Sequence, residues 1–290
     1  MMGVAVLLTA AGCATPSPSG LDPEIKVLAE TAHAAYQRGE IGRADVLYAK
    51  ALQRAQLTDS RDEIVRNAYN LALCRMAAGR VPEARHLLIQ ARALAGERGH
   101  QAALVLLADA EALRLTGGAA ESDLLARLAV DAGVDRDGLV QSWVLRGEAA
   151  YASGRLEDLA RCLRKAESFA QATTPPALLA RTDALAVELI KVKMLDGALA
   201  ERLLAQAGHL RKAGQYKGMG VALVASAAAF EQDGRWAEAF DCRVRAALSL
   251  MAAGDTDRAR QEAKAAMNLA GKTGNAGHRA LADGLLNELK

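Results

Sequence analysis

Aromatic side chains make up only 3% of the 290 residues, and there are six prolines. With 51% hydrophobic content and so few rings, the core must be mostly alanine and leucine. Small side chains let helices pack closely and leave little room for a large enclosed pocket. No stretch of useful length alternates apolar and polar, so a sheet-based fold is excluded. Neither sign of charge dominates: 36 basic residues face 34 acidic ones, a net of +2. Nucleic acid as the main partner would need a basic stripe, and the balance argues against it.

Chemistry-bearing clusters are missing as well. Cys74, Cys162 and Cys242 lie far apart, with no second cysteine at zinc-ligand spacing. Cys162 and Cys242 are expected inside second helices, as small buried residues. His33, His86, His100, His209 and His278 are scattered, so no metal or other cofactor is expected. None of the carboxylates Glu148, Glu157, Asp158, Glu188, Asp196 and Glu201 is singled out by an apolar setting. General acid–base chemistry has no residue set behind it, and the chain is not expected to be an enzyme. Gly271-Lys272-Thr273 has Ala266 where a phosphate loop needs glycine, and a helix precedes it. No strand feeds Gly214–Gly220, which is expected to be a flexible joint between repeats.

What is present is a repeated helical pair. Residues 143–170 predict a helix from Trp143 to Ala152, a turn at Ser153-Gly154-Arg155, and a helix from Leu156 to Ala170. Glycine accepts the left-handed backbone that ends a helix. Leu156, Leu159, Leu163, Ala166 and Ala170 form an apolar stripe at spacings of three and four. Trp143 sets a knob beside the hole left by Gly147. Turns recur near Gly39, Gly79, Gly117, Gly154, Gly197, Gly234 and Lys272, with Gly117-Gly118 expected to loosen its turn.

Trp143, Gly147, Ala150/Tyr151, Gly154, Ala160 and Ala166 resemble the tetratricopeptide repeat (TPR), with the small residue expected near Leu159 displaced to Ala160. Ala44, Tyr48 and Ala51, then Leu71, Ala72, Gly79, Ala84, Leu88 and Ala91, and later Ala227, Phe230, Gly234, Ala239 and Ala246, repeat it. The spacing of the turns exceeds the standard ~34 residues and is similar to the long-helix variants of kinesin light chains and MalT-type regulators. The resemblance implies an all-α solenoid of about seven TPR-like hairpins, curved into a superhelix. The repeats fall near 24–57, 59–98, 99–133, 136–171, 175–213, 216–253 and 256–290, over a solenoid of 22–290. Asp22 is the expected N-cap of the first helix, with Pro23 in its first turn. Thr58–Glu63 is expected to cap the third.

In that family the first helix of each repeat lines the concave face. By resemblance the groove residues are Lys26, Glu30, His33 and Tyr36, then Arg66, Tyr69, Asn70, Leu73 and Met76, then Gln141, Val144, Glu148 and Tyr151. This mix suits an extended or helical peptide, so a protein or peptide partner is implied. Asn70 matches one position of the family's carboxylate clamp. Ala29 and His33 stand where the clamp needs lysine and asparagine, so the clamp is not supported.

Residues 1–12 read as the apolar region of a secretory signal, too short for the ~20 residues of a spanning helix. Leu8-Thr9-Ala10-Ala11-Gly12-Cys13 resembles a bacterial lipobox, which implies lipidation of Cys13 and membrane attachment through that lipid. Ala10 replaces the usual leucine, and no basic residue precedes the apolar run; the Met1-Met2 start suggests an upstream start codon that supplies one. Ala14 after the cysteine implies sorting to the outer membrane, on its periplasmic face. Residues 13–21 form a linker. The implied role is a lipid-anchored scaffold or adaptor in envelope, pilus or secretion assembly. The alternative is a cytosolic TPR regulator that senses a ligand or peptide.

Overall fold

The computed structural model describes residues 22–289. The expected signal segment, Cys13 and the expected linker lie outside the described residues. Fourteen helices follow in order: α1 (Pro23–Gln37), α2 (Ile41–Leu57), α3 (Arg61–Ala77), α4 (Val81–Ala95), α5 (His100–Leu115), α6 (Ala119–Ala132), α7 (Arg136–Ala152) and α8 (Leu156–Phe169). Then come α9 (Pro176–Lys191), α10 (Leu199–Lys212), α11 (Tyr216–Gln232), α12 (Trp236–Ala252), α13 (Thr256–Thr273) and α14 (Ala276–Glu288). Among the described residues there is no strand. Each odd helix packs on the even helix after it, giving seven hairpins, and the fold is all-α and solenoid-like. The chain divides into two compact units: hairpins one to four end at Ala170, and hairpins five to seven start after Gln171.

The turns are built alike. At Gly79 (φ 76°) the amide donates to the Met76 carbonyl at 3.0 Å, and the Arg80 amide to the Arg75 carbonyl at 2.8 Å. This paired closure satisfies two carbonyls that the helix end leaves bare. Gly39 repeats it on Tyr36 and Ala35. Asp59 (φ 49°) and Lys193 (φ 58°) make the same closure without glycine. In the left-handed region a Cβ crowds the following carbonyl, which costs roughly 1–2 kcal/mol.

The cores are alanine and leucine, as the composition requires. Ala84 and Ala239 are fully buried, beside Leu88 and Phe240. Asp22 caps α1 by accepting from the Glu24 amide at 2.9 Å, and Asp135 caps α7 through the Gly138 amide at 2.8 Å. Ser60 stands at the N-cap of α3 but accepts no capping bond.

Several expectations are corrected. The fourth hairpin's first helix begins at Arg136, and Leu159 fills the position where the repeat calls for a small residue, with Ala160 half-buried beside it. Gly117-Gly118 is a tight turn: a Cβ on Gly118 would meet Leu113 Cδ2 at 2.8 Å. Gly218 and Gly220 lie inside α11, and a Cβ on Gly220 would meet Leu250 Cγ at 2.7 Å. That stretch is close packing rather than a flexible joint. Lys272 belongs to α13, and the last turn falls at Gly274 (φ 65°). The fifth hairpin turns over residues 192–198, where Val192, Met194 and Leu195 are exposed.

Candidate functional site

In the N-terminal unit the first helices of neighbouring hairpins meet: α3 touches both α1 and α5, and α5 touches α7. This packing decides which expected groove residues reach solvent. Lys26 and Glu30 are exposed and 4.0 Å apart. His33, Tyr36, Tyr69 and Asn70 are half-buried, and His33 Nε2 lies 2.8 Å from Gln37 Nε2. Arg66 donates to the Glu63 carboxylate at 2.7 Å. Met76 and Val144 are core residues, contrary to expectation, because the neighbouring helices cover them. Leu73 is also buried, but it floors a depression.

That depression is lined by His33 and Tyr36 of α1, Tyr48 of α2, and Asn70 and Leu73 of α3. It is an open dimple, not an enclosed cavity. Two phenolic rings, one imidazole and one amide converge on it. Burial pushes the Tyr36 hydroxyl up from its ordinary value, with Cys74 adding to the effect. Tyr48 is pushed up the same way and stays neutral. Tyr48 and Leu73 are buried beneath the depression, so the accessible surface comes from His33, Tyr36 and Asn70, the last offering both a donor and an acceptor. A search along first helices misses Tyr48, which sits on a second helix; its place in the repeat pattern is the available signal.

Gln141 and Glu148 are half-buried on α7, and Tyr151 is exposed at the helix end. Glu148 lies 3.5 Å from Arg114 of α5. They stand apart from the dimple along the repeat, with α5 touching both α3 and α7. α5 is buried almost all round, including Asp109 and Glu111 at 1% exposure each. Its sequence, HQAALVLLADAEALRL, carries apolar residues all round with only a few charges among them, which is the signature of a buried helix. Arg92 and Arg85 of α4 approach Asp109 at 3.1 and 3.4 Å, yet burial still raises its pKa.

Among the described residues no group of three or more His, Cys, Asp or Glu is placed to hold a metal. None of the described helices is long and apolar enough to cross a membrane. Cys74, Cys162 and Cys242 are free and buried. Burial pushes all three thiols up, Cys74 to about 12.

The hairpins with glycine turns and interlocked alanines make this a TPR-like fold. No protein-family model matches the chain. No curated protein matches it either. Solved structures do resemble it. A tetratricopeptide repeat protein from Parabacteroides merdae is 11% identical, over 92% of this chain and 99% of that one, with a TM-score of 0.48. TPR-like repeats described as those of a Podosopora anserina kinesin light chain are 18% identical, over 74% and 99%, at 0.45. The TPR2AB domain of yeast Sti1 in its pHSP90 complex is 16% identical, over 79% and 99%, at 0.38.

Proposed function

We propose that this chain is a non-catalytic adaptor that binds a protein or peptide partner at the dimple of its N-terminal unit. The observation behind the reading is the convergence of His33, Tyr36, Tyr48, Asn70 and Leu73 from three helices onto one open depression. Preformed aromatic surface holds a partner at low entropic cost, since the rings are already fixed by packing. The lipobox-like stretch ending at Cys13 supports attachment by lipid to the periplasmic face of a bacterial outer membrane, as part of an envelope, pilus or secretion assembly.

The partner test is crosslinking in the native envelope. A Tyr36→Ala/Asn70→Ala protein loses the crosslinked partner while keeping its helicity. Retention of the same partner at the same yield removes the dimple from the reading. The anchor test is separate: Cys13→Ala moves the protein from the membrane to the soluble fraction. An unchanged distribution, with an uncleaved N-terminus by mass, favours a cytosolic peptide- or ligand-sensing regulator instead.

A further inference from the structure

We propose that α11 and the turn before it form a second docking surface, for a protein segment in which a run of carboxylates adjoins small apolar side chains. From Arg202 to Phe230 the chain has no aspartate or glutamate. In the middle of that stretch, at the α10–α11 turn, Arg211, Lys212, Tyr216 and Lys217 are all exposed. Neither Arg211 nor Lys212 has an ion pair among the described residues, and Lys217 reaches only Asp255, at 3.8 Å. Some other cations of this unit are compensated: Arg235 is bound to Glu201 and Glu238, and Arg243 to Glu231 and Glu262. The turn therefore gathers three exposed cations, two of them without an ion pair among the described residues, inside a stretch that carries no acidic side chain.

The face that continues from it is neutral. Between Lys217 and Glu231, α11 carries no charged side chain. Val221 and Ala225 are exposed there, with Val224 and Ala228 half-buried. The helix packs on α10 and α12. Unpaired cations draw an acidic segment in and set its direction, while an adjoining apolar strip supplies the desolvated contact. A nucleic-acid site would need cations spread along the backbone track, and here they end at one turn. A membrane-surface helix needs tryptophan, phenylalanine or leucine on its apolar face, and this strip offers valine and alanine.

The surface is independent of the dimple, and its test does not depend on that reading. The probe is a fluorescein-labelled peptide with a run of glutamates followed by alternating alanine and leucine, titrated by anisotropy into the full chain. Controls are the same peptide with glutamine for glutamate, vesicles of phosphatidylcholine with phosphatidylglycerol, and a labelled single-stranded oligonucleotide. The glutamate peptide is expected to bind, with affinity falling as salt rises. Lys212→Glu/Lys217→Glu is expected to weaken it about tenfold, the scale of two exposed ion pairs. Val221→Asp should weaken it about fivefold through lost apolar contact. Tyr36→Ala should leave it unchanged. Circular dichroism verifies that each variant is folded. Equal binding by the charge-reversed protein, loss in Tyr36→Ala, or tighter binding of wild type to the vesicles or the oligonucleotide overturns the assignment.

Discussion

Arg61, the first residue of α3, donates from Nε to the carbonyl of Leu94 near the end of α4, at 2.6 Å. Arg136, the first residue of α7, does the same to Phe169, the last residue of α8, at 2.9 Å. Both bonds tie the open mouth of a hairpin, and both place a cation on a helix C-terminus, where bare carbonyls concentrate negative charge. In the first hairpin Arg54 serves the same end of the pair by donating to the cap residue Asp22 at 2.6 Å.

Arg61→Ala and Arg136→Ala should therefore each destabilise the N-terminal unit by about 1 kcal/mol, the usual net worth of a hydrogen bond. Hydrogen exchange locates the effect. Amides of the last turns of α4 and α8 should lose protection first, while those of the core helices follow only global unfolding. Unchanged protection at both helix ends would show that the two contacts hold nothing in solution.

The left-handed turn residues give a pair of opposite signs. A Cβ on Gly79 would meet nothing within 4 Å, so Gly79→Ala isolates the backbone strain. It should destabilise by about 1 kcal/mol in urea unfolding. Lys193 already bears that strain, with φ 58°. Lys193→Gly should stabilise by about 0.5 kcal/mol, the strain relieved less the extra freedom of glycine in the unfolded chain. Both changes moving stability in one direction would contradict the turn geometry.

Close packing of the hairpins makes a third prediction. Ala84 and Ala239 have no exposed surface. Replacing either with leucine forces extra carbons into a filled interface and should cost about 1–3 kcal/mol. Calorimetry should show a lower melting temperature in each variant. An unchanged value would mean the alanine faces open space.

The hairpin pattern is readable in the sequence because its cause is local. Gly39, Gly79, Gly154 and Gly234 sit in turns where the backbone needs a positive φ, and the alanines sit where helices cross. Asp59 is a residue type that tolerates the left-handed region, but Lys193 occupies it with no residue-level sign, because the surrounding hydrogen bonds impose it. Gly218 and Gly220 look like a joint in sequence, since glycine serves looseness and close approach equally well. Only the position of Leu250 against Gly220 distinguishes the two. The dimple is half visible. His33, Tyr36, Asn70 and Leu73 follow from the first-helix positions that the repeat resemblance implies, but Tyr48 arrives from another helix. Likewise, Met76 and Val144 lie on the expected face, and neighbouring helices bury them. Such facts belong to tertiary packing.

Thiol chemistry supplies a fourth prediction. Cys74 is fully buried and burial pushes its thiol up to about 12, so almost no thiolate exists near neutral pH. Thiolate is the reactive species. In the Cys13→Ala protein, Ellman's reagent at pH 8 should find essentially no accessible thiol in the folded state. All three buried cysteines should react once guanidinium unfolds the chain. Rapid labelling of the native protein would show that these helices open far more readily than their packing implies.

Asp109 allows the pH dependence to be argued with a definite sign. Its carboxyl is buried on α5, and burial raises its pKa despite Arg92 and Arg85 nearby. A raised folded pKa means that the folded state favours the neutral acid. The group's stabilising contribution is then complete below its unfolded pKa and is lost as pH rises through the folded value. Asp22, Glu40 and Glu201 run the other way. Hydrogen bonds from Arg54, Arg38 and Arg235 lower their pKa values, so their contributions fade as pH falls. Whole-protein stability mixes the two trends, and a single variant separates them. The side-chain amide introduced by Asp109→Asn resembles the neutral acid at every pH. The variant should match or exceed wild type in urea midpoint at pH 7, and the difference should shrink as pH is lowered toward 4. A variant that is clearly weaker at pH 7 and recovers in acid would mean that the two arginines outweigh burial, and that Asp109 holds α5 to α4 as a charged group.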